Sequence, residues 1–280
     1  MKVFFNGSFI EKEDVKISPD DRGFLFGDGV YEVIRSYNGK FFMFSEHISR
    51  LNYSLKELKI NYYETDKLEK IAKELLKLNS FENIDATVYI QITRGVAVRS
   101  LKFPGGDIMP TVYITLNKLN EHYYSYKNGI SAFLVDDIRW KRCDIKSVNL
   151  LANVIAHNQA IDNGSEIGLF VKDGIITEGT HVGVFGVKNG SLITHPAGKE
   201  ILPSITRKVI FDLCIKLEIP VLEQAINPEN VFNLDELFVV GTSPEIAPVI
   251  SLNKIPIANG KPGIISIKLQ NAFNKLIKGI

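Results

Sequence analysis

Lys146 is the residue whose surroundings most suggest covalent chemistry. It stands in Arg139-Trp140-Lys141-Arg142-Cys143-Asp144-Ile145-Lys146-Ser147, after an expected strand over Ser131–Val135 and just before an apolar helix expected from about Val148 to Asn163. A lysine amine among apolar neighbours has its charged form disfavoured, and the neutral amine attacks carbonyl carbon. Taken alone, the same lysine also reads as a solvated side chain in a basic loop, which is the commoner case. Glu178, in Thr177-Glu178-Gly179-Thr180, ends a predicted hairpin strand. A carboxylate there can hold a proton on a heteroaromatic ring nitrogen and keep that ring able to take up electrons; an ordinary strand-end glutamate explains it equally well.

Two segments suit an anion such as phosphate. Leu202-Pro203-Ser204-Ile205-Thr206-Arg207 leads into an amphipathic helix, whose first backbone N–H groups point outward along the axis. Gly241-Thr242-Ser243-Pro244-Glu245 follows a strand and offers hydroxyls on a pliable backbone. Helix capping and a Pro-containing turn are the plain alternatives. Arg50, one turn into a helix that Ser45 is expected to cap, adds a cation, unless it is simply solvated.

The elements that must position these residues are legible from turns and periodicity. Asn6-Gly7, Asn38-Gly39, Asn128-Gly129, Asp173-Gly174, Asn189-Gly190 and Asn259-Gly260 supply the positive φ of tight turns. Three of them join apolar runs into expected hairpins: Val30–Tyr37 with Lys40–Phe44, Ile167–Lys172 with Ile175–Glu178, and Val182–Lys188 with Ser191–Thr194. Further strands are expected at Thr87–Thr93, Thr111–Leu116 and Glu236–Val240. Beyond the Ser45 helix, with Ile48, Leu51, Leu55 and Leu58 on one face, helices are expected after Thr65 and over Thr206–Leu217 and Ile264–Leu276. The polar stretch Asn117–Asn128 is the best linker, dividing the chain into 1–117, a connection over 118–128, and 129–280. The expected class is α+β with mixed sheets in two domains.

Composition excludes other classes. The 280 residues are 45% hydrophobic and 23% charged, with 33 basic and 32 acidic side chains and no long block of one sign, so neither nucleic acid nor an anionic membrane surface is an expected partner. Cys143 and Cys214 form no CxxC pair, and the five histidines have no ligand spacing, so no metal is expected. No GxGxxG, GxxxxGK[ST], HExxH or GxSxG string occurs. The apolar start Val3-Phe4-Phe5 is too short for a signal-peptide core, and no apolar run reaches the ~18 residues of a membrane span. The expected location is cytoplasmic.

Taken together, the motifs resemble the class IV aminotransferases, the fold-type IV group of pyridoxal 5'-phosphate (PLP) enzymes, and most closely their bacterial D-amino acid members. The resemblance runs nearly end to end. It is strongest at Asp21-Arg22-Gly23-Phe24-Leu25-Phe26-Gly27-Asp28-Gly29-Val30-Tyr31-Glu32, Glu46-His47-Ile48-Ser49-Arg50-Leu51, Gln91-Ile92-Thr93-Arg94-Gly95, Arg142–Ser147, Thr177-Glu178-Gly179 and Ile205-Thr206-Arg207. It implies that Lys146 forms the cofactor Schiff base and shuttles the substrate proton, and that Glu178 pairs with the pyridine nitrogen. By the same resemblance Arg50, Ile205, Thr206, Gly241 and Thr242 hold the phosphate, Leu202 packs behind the ring, and Tyr31 and Arg99 face the substrate. The implied fold is the two-domain fold-type IV architecture, a small N-terminal α/β domain and a larger C-terminal domain, in a homodimer. The implied reaction moves an amino group between a D-amino acid, D-alanine-like, and a 2-oxo acid such as 2-oxoglutarate. Within the same fold the alternatives are an aminodeoxychorismate lyase and an L-branched-chain aminotransferase, and outside it a PLP-binding protein with little catalysis. Two positions depart from the D-specific pattern: Leu101 stands where a histidine is usual, and Thr180-His181-Val182-Gly183 replaces a Ser/Asn-rich turn.

Overall fold

The computed structural model describes residues 1–106, 108–119 and 128–279. By their contacts they form two compact units, Met1–Leu119 together with Ile145–Leu150, and Asn120–Asp144 together with Leu151–Ile280. Most of the expected connection, residues 120–127, lies outside the described residues.

The first unit comprises β1 (Lys2–Phe5), β2 (Ser8–Glu11), α1 (Arg22–Phe26), β3 (Gly29–Tyr37), β4 (Lys40–Phe41), α2 (Phe44–Glu57), α3 (Leu68–Leu78), β5 (Ala86–Thr93) and β6 (Thr111–Lys118). Its strands form a six-stranded sheet in the order β2-β1-β6-β5-β3-β4, antiparallel throughout. Leu51 and Leu55 of α2 and Leu68, Leu75 and Leu76 of α3 bury against Val30, Ile34, Val88, Ile90 and Ile114 of the sheet. That apolar burial, at about 25 cal/mol per Å², is what holds helices and sheet together.

The second unit adds β7 (Ile130–Asp136), α4 (Leu151–Asp162), β8 (Ile167–Lys172), β9 (Ile175–Gly179), β10 (Gly183–Lys188), β11 (Ser191–Thr194), α5 (Ile205–Leu217), β12 (Val221–Glu223), β13 (Glu236–Gly241), β14 (Glu245–Leu252), β15 (Ile255–Pro256) and α6 (Ile264–Lys278). Its nine-stranded sheet runs β12-β11-β10-β13-β14-β7-β8-β9, with β15 alongside β14. The pairs β11–β12, β14–β7 and β7–β8 are parallel and the others antiparallel, so this sheet is mixed, as expected. Among the described residues no helix is long and apolar enough to cross a membrane.

Several expected boundaries move. Helix α2 starts at Phe44, with Met43 in the left-handed conformation as its cap; Ser45 lies inside the helix and its hydroxyl donates to Glu46 instead. Thr65 opens a short 3-10 turn, and α3 begins only at Leu68, with no side-chain cap. The helix expected from Val148 begins at Leu151, because Ser147 bridges to Val30 and the Val148 N–H donates to the Gly29 carbonyl. Backbone committed to β3 in this way cannot enter the helix. Helix α5 is capped as a serine caps best: the Ser204 hydroxyl accepts from the Arg207 N–H.

Candidate active site

In the first unit the segment around Lys146 is pinned at every step. Its N–H donates to Ser54 Oγ at 3.1 Å, its carbonyl accepts from the Tyr31 N–H at 3.0 Å, and the side chain of Ile145 is buried. The Lys146 amine lies 4.2 Å from the centre of the Tyr31 ring. Lys146 and Tyr31 are both half-buried, and the Tyr31 ring leans on Tyr89 at 5.7 Å. A cation over a tyrosine face is attracted by the ring quadrupole, so this contact sets where the amine points.

Arg50 sits on α2 against a buried carboxylate. Its Nε donates to Glu32 Oε1 at 2.7 Å and its Nη2 to Glu32 Oε2 at 2.8 Å, a two-pronged pair. His47 Nδ1 lies 2.7 Å from Glu32 Oε2. Burial alone would push the Glu32 carboxyl up, but the charge and hydrogen bonds of Arg50, with the bond from His47, outweigh it and hold it at about 2. Burial pushes His47 down against the pull of Glu32, so the neutral ring donates Nδ1–H to an ionised carboxylate. Arg99, expected to face a substrate carboxylate, is exposed, with its guanidinium 5.5 Å from the Phe26 ring; Leu101 is 88% exposed.

In the second unit Glu178 is the last residue but one of β9 and is buried. Its Oε1 accepts from Arg139 Nη1 and its Oε2 from the Leu202 N–H at 3.1 Å. Burial pushes the Glu178 carboxyl up, opposed by the charge and hydrogen bond of Arg139 and by the Leu202 amide. Burial would lower Arg139 in turn, but its bonds to Asp137 and the Glu178 charge raise it, so it stays a cation. Ile205 and Thr206 are buried at the start of α5. With the Arg207 N–H taken by Ser204, theirs are the first-turn N–H groups that helix geometry leaves without an intrahelical partner. Gly241 closes β13 and is buried; Thr242 follows in the turn into β14 and is half-buried. In the departing turn, Thr180 Oγ1 lies 3.3 Å from His157 Nδ1 and 3.4 Å from His181 Nδ1, and Asn153 donates to the Thr180 carbonyl at 2.8 Å.

A family model of the class IV aminotransferases matches residues 29–252, four-fifths of the chain. The chain belongs to the class IV aminotransferases. It is 40% identical over 278 residues to a D-alanine aminotransferase of Staphylococcus haemolyticus, covering 99% of this chain and 98% of that one. A D-alanine aminotransferase of Bacillus licheniformis is 37% identical over the same length, with 99% and 97% covered. Among solved structures, the branched-chain amino acid aminotransferase of Escherichia coli matches with a TM-score of 0.90 at 27% identity, over 98% of this chain and 94% of that one. The α+β, fold-type IV architecture follows from these matches and from the helices and mixed sheet described above.

A class IV aminotransferase works with pyridoxal 5'-phosphate and exchanges an amino group between an amino acid and a 2-oxo acid. The chemistry of this aminotransferase's donors fits that group. Lys146 offers an amine for an aldehyde. Glu178 offers a buried carboxylate with two of its roughly four acceptor positions used among the described residues. The start of α5 offers N–H groups for a phosphate. Sequence reading assigned no role to Glu32, His47, Asp137 or Arg139. The signal for Glu32 was there: Val30, Glu32 and Ile34 share one face of β3, and a lone charge in an apolar alternation demands partners.

The Glu32–Arg50 pair should make folding acid-sensitive. Glu32 falls from 4.5 to about 2 on folding, so its contribution is present above pH 4.5 and is lost as pH falls from 4.5 towards 2. The loss is about 3 kcal/mol over that window. Of the drop in urea midpoint from pH 7 through 4.5 to 3, the Glu32 part should fall between the last two, and Glu32→Gln should flatten that step; a Glu32→Gln curve parallel to the parent's would assign that loss elsewhere.

Proposed function

We propose that this chain transfers the amino group of a D-amino acid, D-alanine-like, to a 2-oxo acid such as 2-oxoglutarate, in the cytoplasm and as a homodimer. The observation behind the substrate reading is the identity to D-alanine aminotransferases across nearly the whole of both chains. The branched-chain enzymes among the structural matches favour the second reading, an L-branched-chain donor, but at lower identity. Exposed Val98, Leu101 and Met109 offer apolar surface of a kind that a second copy would cover.

Bound PLP supplies the aldehyde that receives the amino group and a ring that takes up the electrons released at the substrate Cα. Lys146 would hold the cofactor covalently, and its amine, once free, would take up the proton of the substrate Cα. Tyr31, against which the amine rests, orients it. Glu178 would hold the proton on the ring nitrogen, and Arg139 and the Leu202 N–H oppose the burial that pushes its carboxyl up. Arg50, the N–H groups of Ile205 and Thr206, Gly241 and Thr242 hold the phosphate; Leu202 backs the ring; Arg99 meets the substrate carboxylate.

The deciding experiment offers D-alanine and L-leucine separately as amino donors to 2-oxoglutarate and measures glutamate of each hand. D-alanine should be the donor, yielding D-glutamate, with L-leucine near background. L-glutamate formed from L-leucine, with D-alanine idle, would replace the first reading with the second.

A further inference from the structure

Glu32 is fully buried, and the two residues that share its face of β3, Val30 and Ile34, are fully buried too and belong to the apolar core. Among the described residues its carboxylate touches only Arg50 and His47. Stability is a weak reason to keep this arrangement, since a buried ion pair is often matched or bettered by well-packed apolar side chains. A second carboxylate-arginine network of this unit, around the half-buried Asp28, has a structural explanation on its face. Asp28 binds Arg22 and Arg94, and these two guanidinium groups then hold loop carbonyls of Ser100, Leu58 and Lys59. Glu32 ties down no loop. It does fix Arg50 through two parallel bonds, Nε to Oε1 and Nη2 to Oε2, at 2.7 and 2.8 Å. It also stands next to Tyr31, whose N–H is bonded to the Lys146 carbonyl, and its partner His47 feels the Lys146 charge.

We infer that Glu32 is a positioning residue for the cofactor's phosphate, acting through Arg50: its carboxylate locks the guanidinium in the orientation that a phosphate meets. The inference rests on the reading of Arg50 as a phosphate ligand. An arginine side chain with several rotatable bonds loses its preorganisation when the fork is broken. A glutamine at position 32 accepts through one oxygen only, and its amide N–H groups oppose the guanidinium. An aspartate keeps the charge but falls one methylene short of both prongs.

The test is binding rather than turnover. Apoprotein of the full chain is titrated with PLP and with pyridoxal, which lacks the phosphate, and the ratio of the two dissociation constants is the readout. A defect that merely loosens the fold weakens both ligands together; a defect in positioning Arg50 weakens PLP alone. Glu32→Gln should lower the preference for PLP by roughly tenfold or more, the worth of one hydrogen bond to a charged group, and Glu32→Asp should lie between it and the parent. The double variant Glu32→Met/Arg50→Met removes both charges together, leaves neither buried alone, and should lower the preference at least as far as Glu32→Gln does. If the double variant keeps the parent's preference, Arg50 does not hold the phosphate and the inference falls with that reading. If the double variant lowers it while Glu32→Gln and Glu32→Asp keep it, Arg50 stands and Glu32 is overturned on its own. Should Glu32→Gln fail to fold, Glu32→Asp decides in the same way.

Discussion

Lys146→Ala is expected to lose turnover by roughly four to six orders of magnitude, the range seen when a covalent nucleophile that also moves a proton is removed. The scaffold should survive the change. The N–H and carbonyl of Lys146 are bonded to Ser54 and Tyr31, the next residue bridges to Val30, and none of these contacts uses the lysine side chain. What is lost is an amine resting over the Tyr31 ring. Two measurements separate this from general damage. Borohydride reduction of the parent protein loaded with PLP should leave the cofactor on a peptide containing Lys146, and the parent should be yellow before reduction and bleached after it. The variant should melt near the parent in the apo form but retain no reducible linkage. A labelled peptide carrying any other lysine sinks the assignment, whatever the activity of the variant.

What could be read from sequence divides along physical lines. Hairpins such as β8–β9 and β10–β11 were legible because Asp173-Gly174 and Asn189-Gly190 set their turns locally, and the structure gives both pairs positive φ. Helix starts were less legible. Ser45 has the right chemistry for a cap, but the chain turns into α2 through Met43 in the left-handed conformation, a backbone choice no side chain announces. Strand β14 went unread because Pro244 and Pro248 mark turns more often than strands, yet Pro248 pairs opposite Phe238 in mid-sheet. The grouping of Ile145–Leu150 with the first unit was out of reach, since it depends on long-range pairing with Gly29, Val30 and Tyr31. For the site, the motif strings singled out Lys146, Glu178 and Arg50, while the groups that set their charge state and direction went without roles. Arg139 and Glu32 are identified as partners only by distances, because a motif records which residues recur and not which atoms meet.

Glu178→Gln is expected to slow transamination by roughly two to four orders of magnitude while leaving PLP bound, the range in which a positioned proton-holding group acts. A carboxylate stabilises a proton on the ring nitrogen by its charge; an amide does not, and the ring then takes up the electrons of the Cα–H bond less readily. The surroundings keep Arg139 paired in this variant. Arg139 is bonded twice to Asp137, Nε to Oδ1 at 2.8 Å and Nη2 to Oδ2 at 2.7 Å, so it keeps an anionic partner when Glu178 loses its charge. The Leu202 N–H finds an acceptor in the amide oxygen, and the amide nitrogen then faces Arg139 Nη1 and gives up that bond. Removing a buried carboxylate whose pKa is raised also removes a desolvation penalty, so the melting temperature should hold or rise. The defect should therefore sit in the single-turnover rate with D-alanine, not in cofactor affinity or stability. Because the lost step breaks the Cα–H bond, a deuterium label at Cα should slow the variant more than the parent. Parent-like single-turnover rates in Glu178→Gln would reduce Glu178 to a counter-ion for Arg139, and the electron sink would then need another partner for its ring nitrogen.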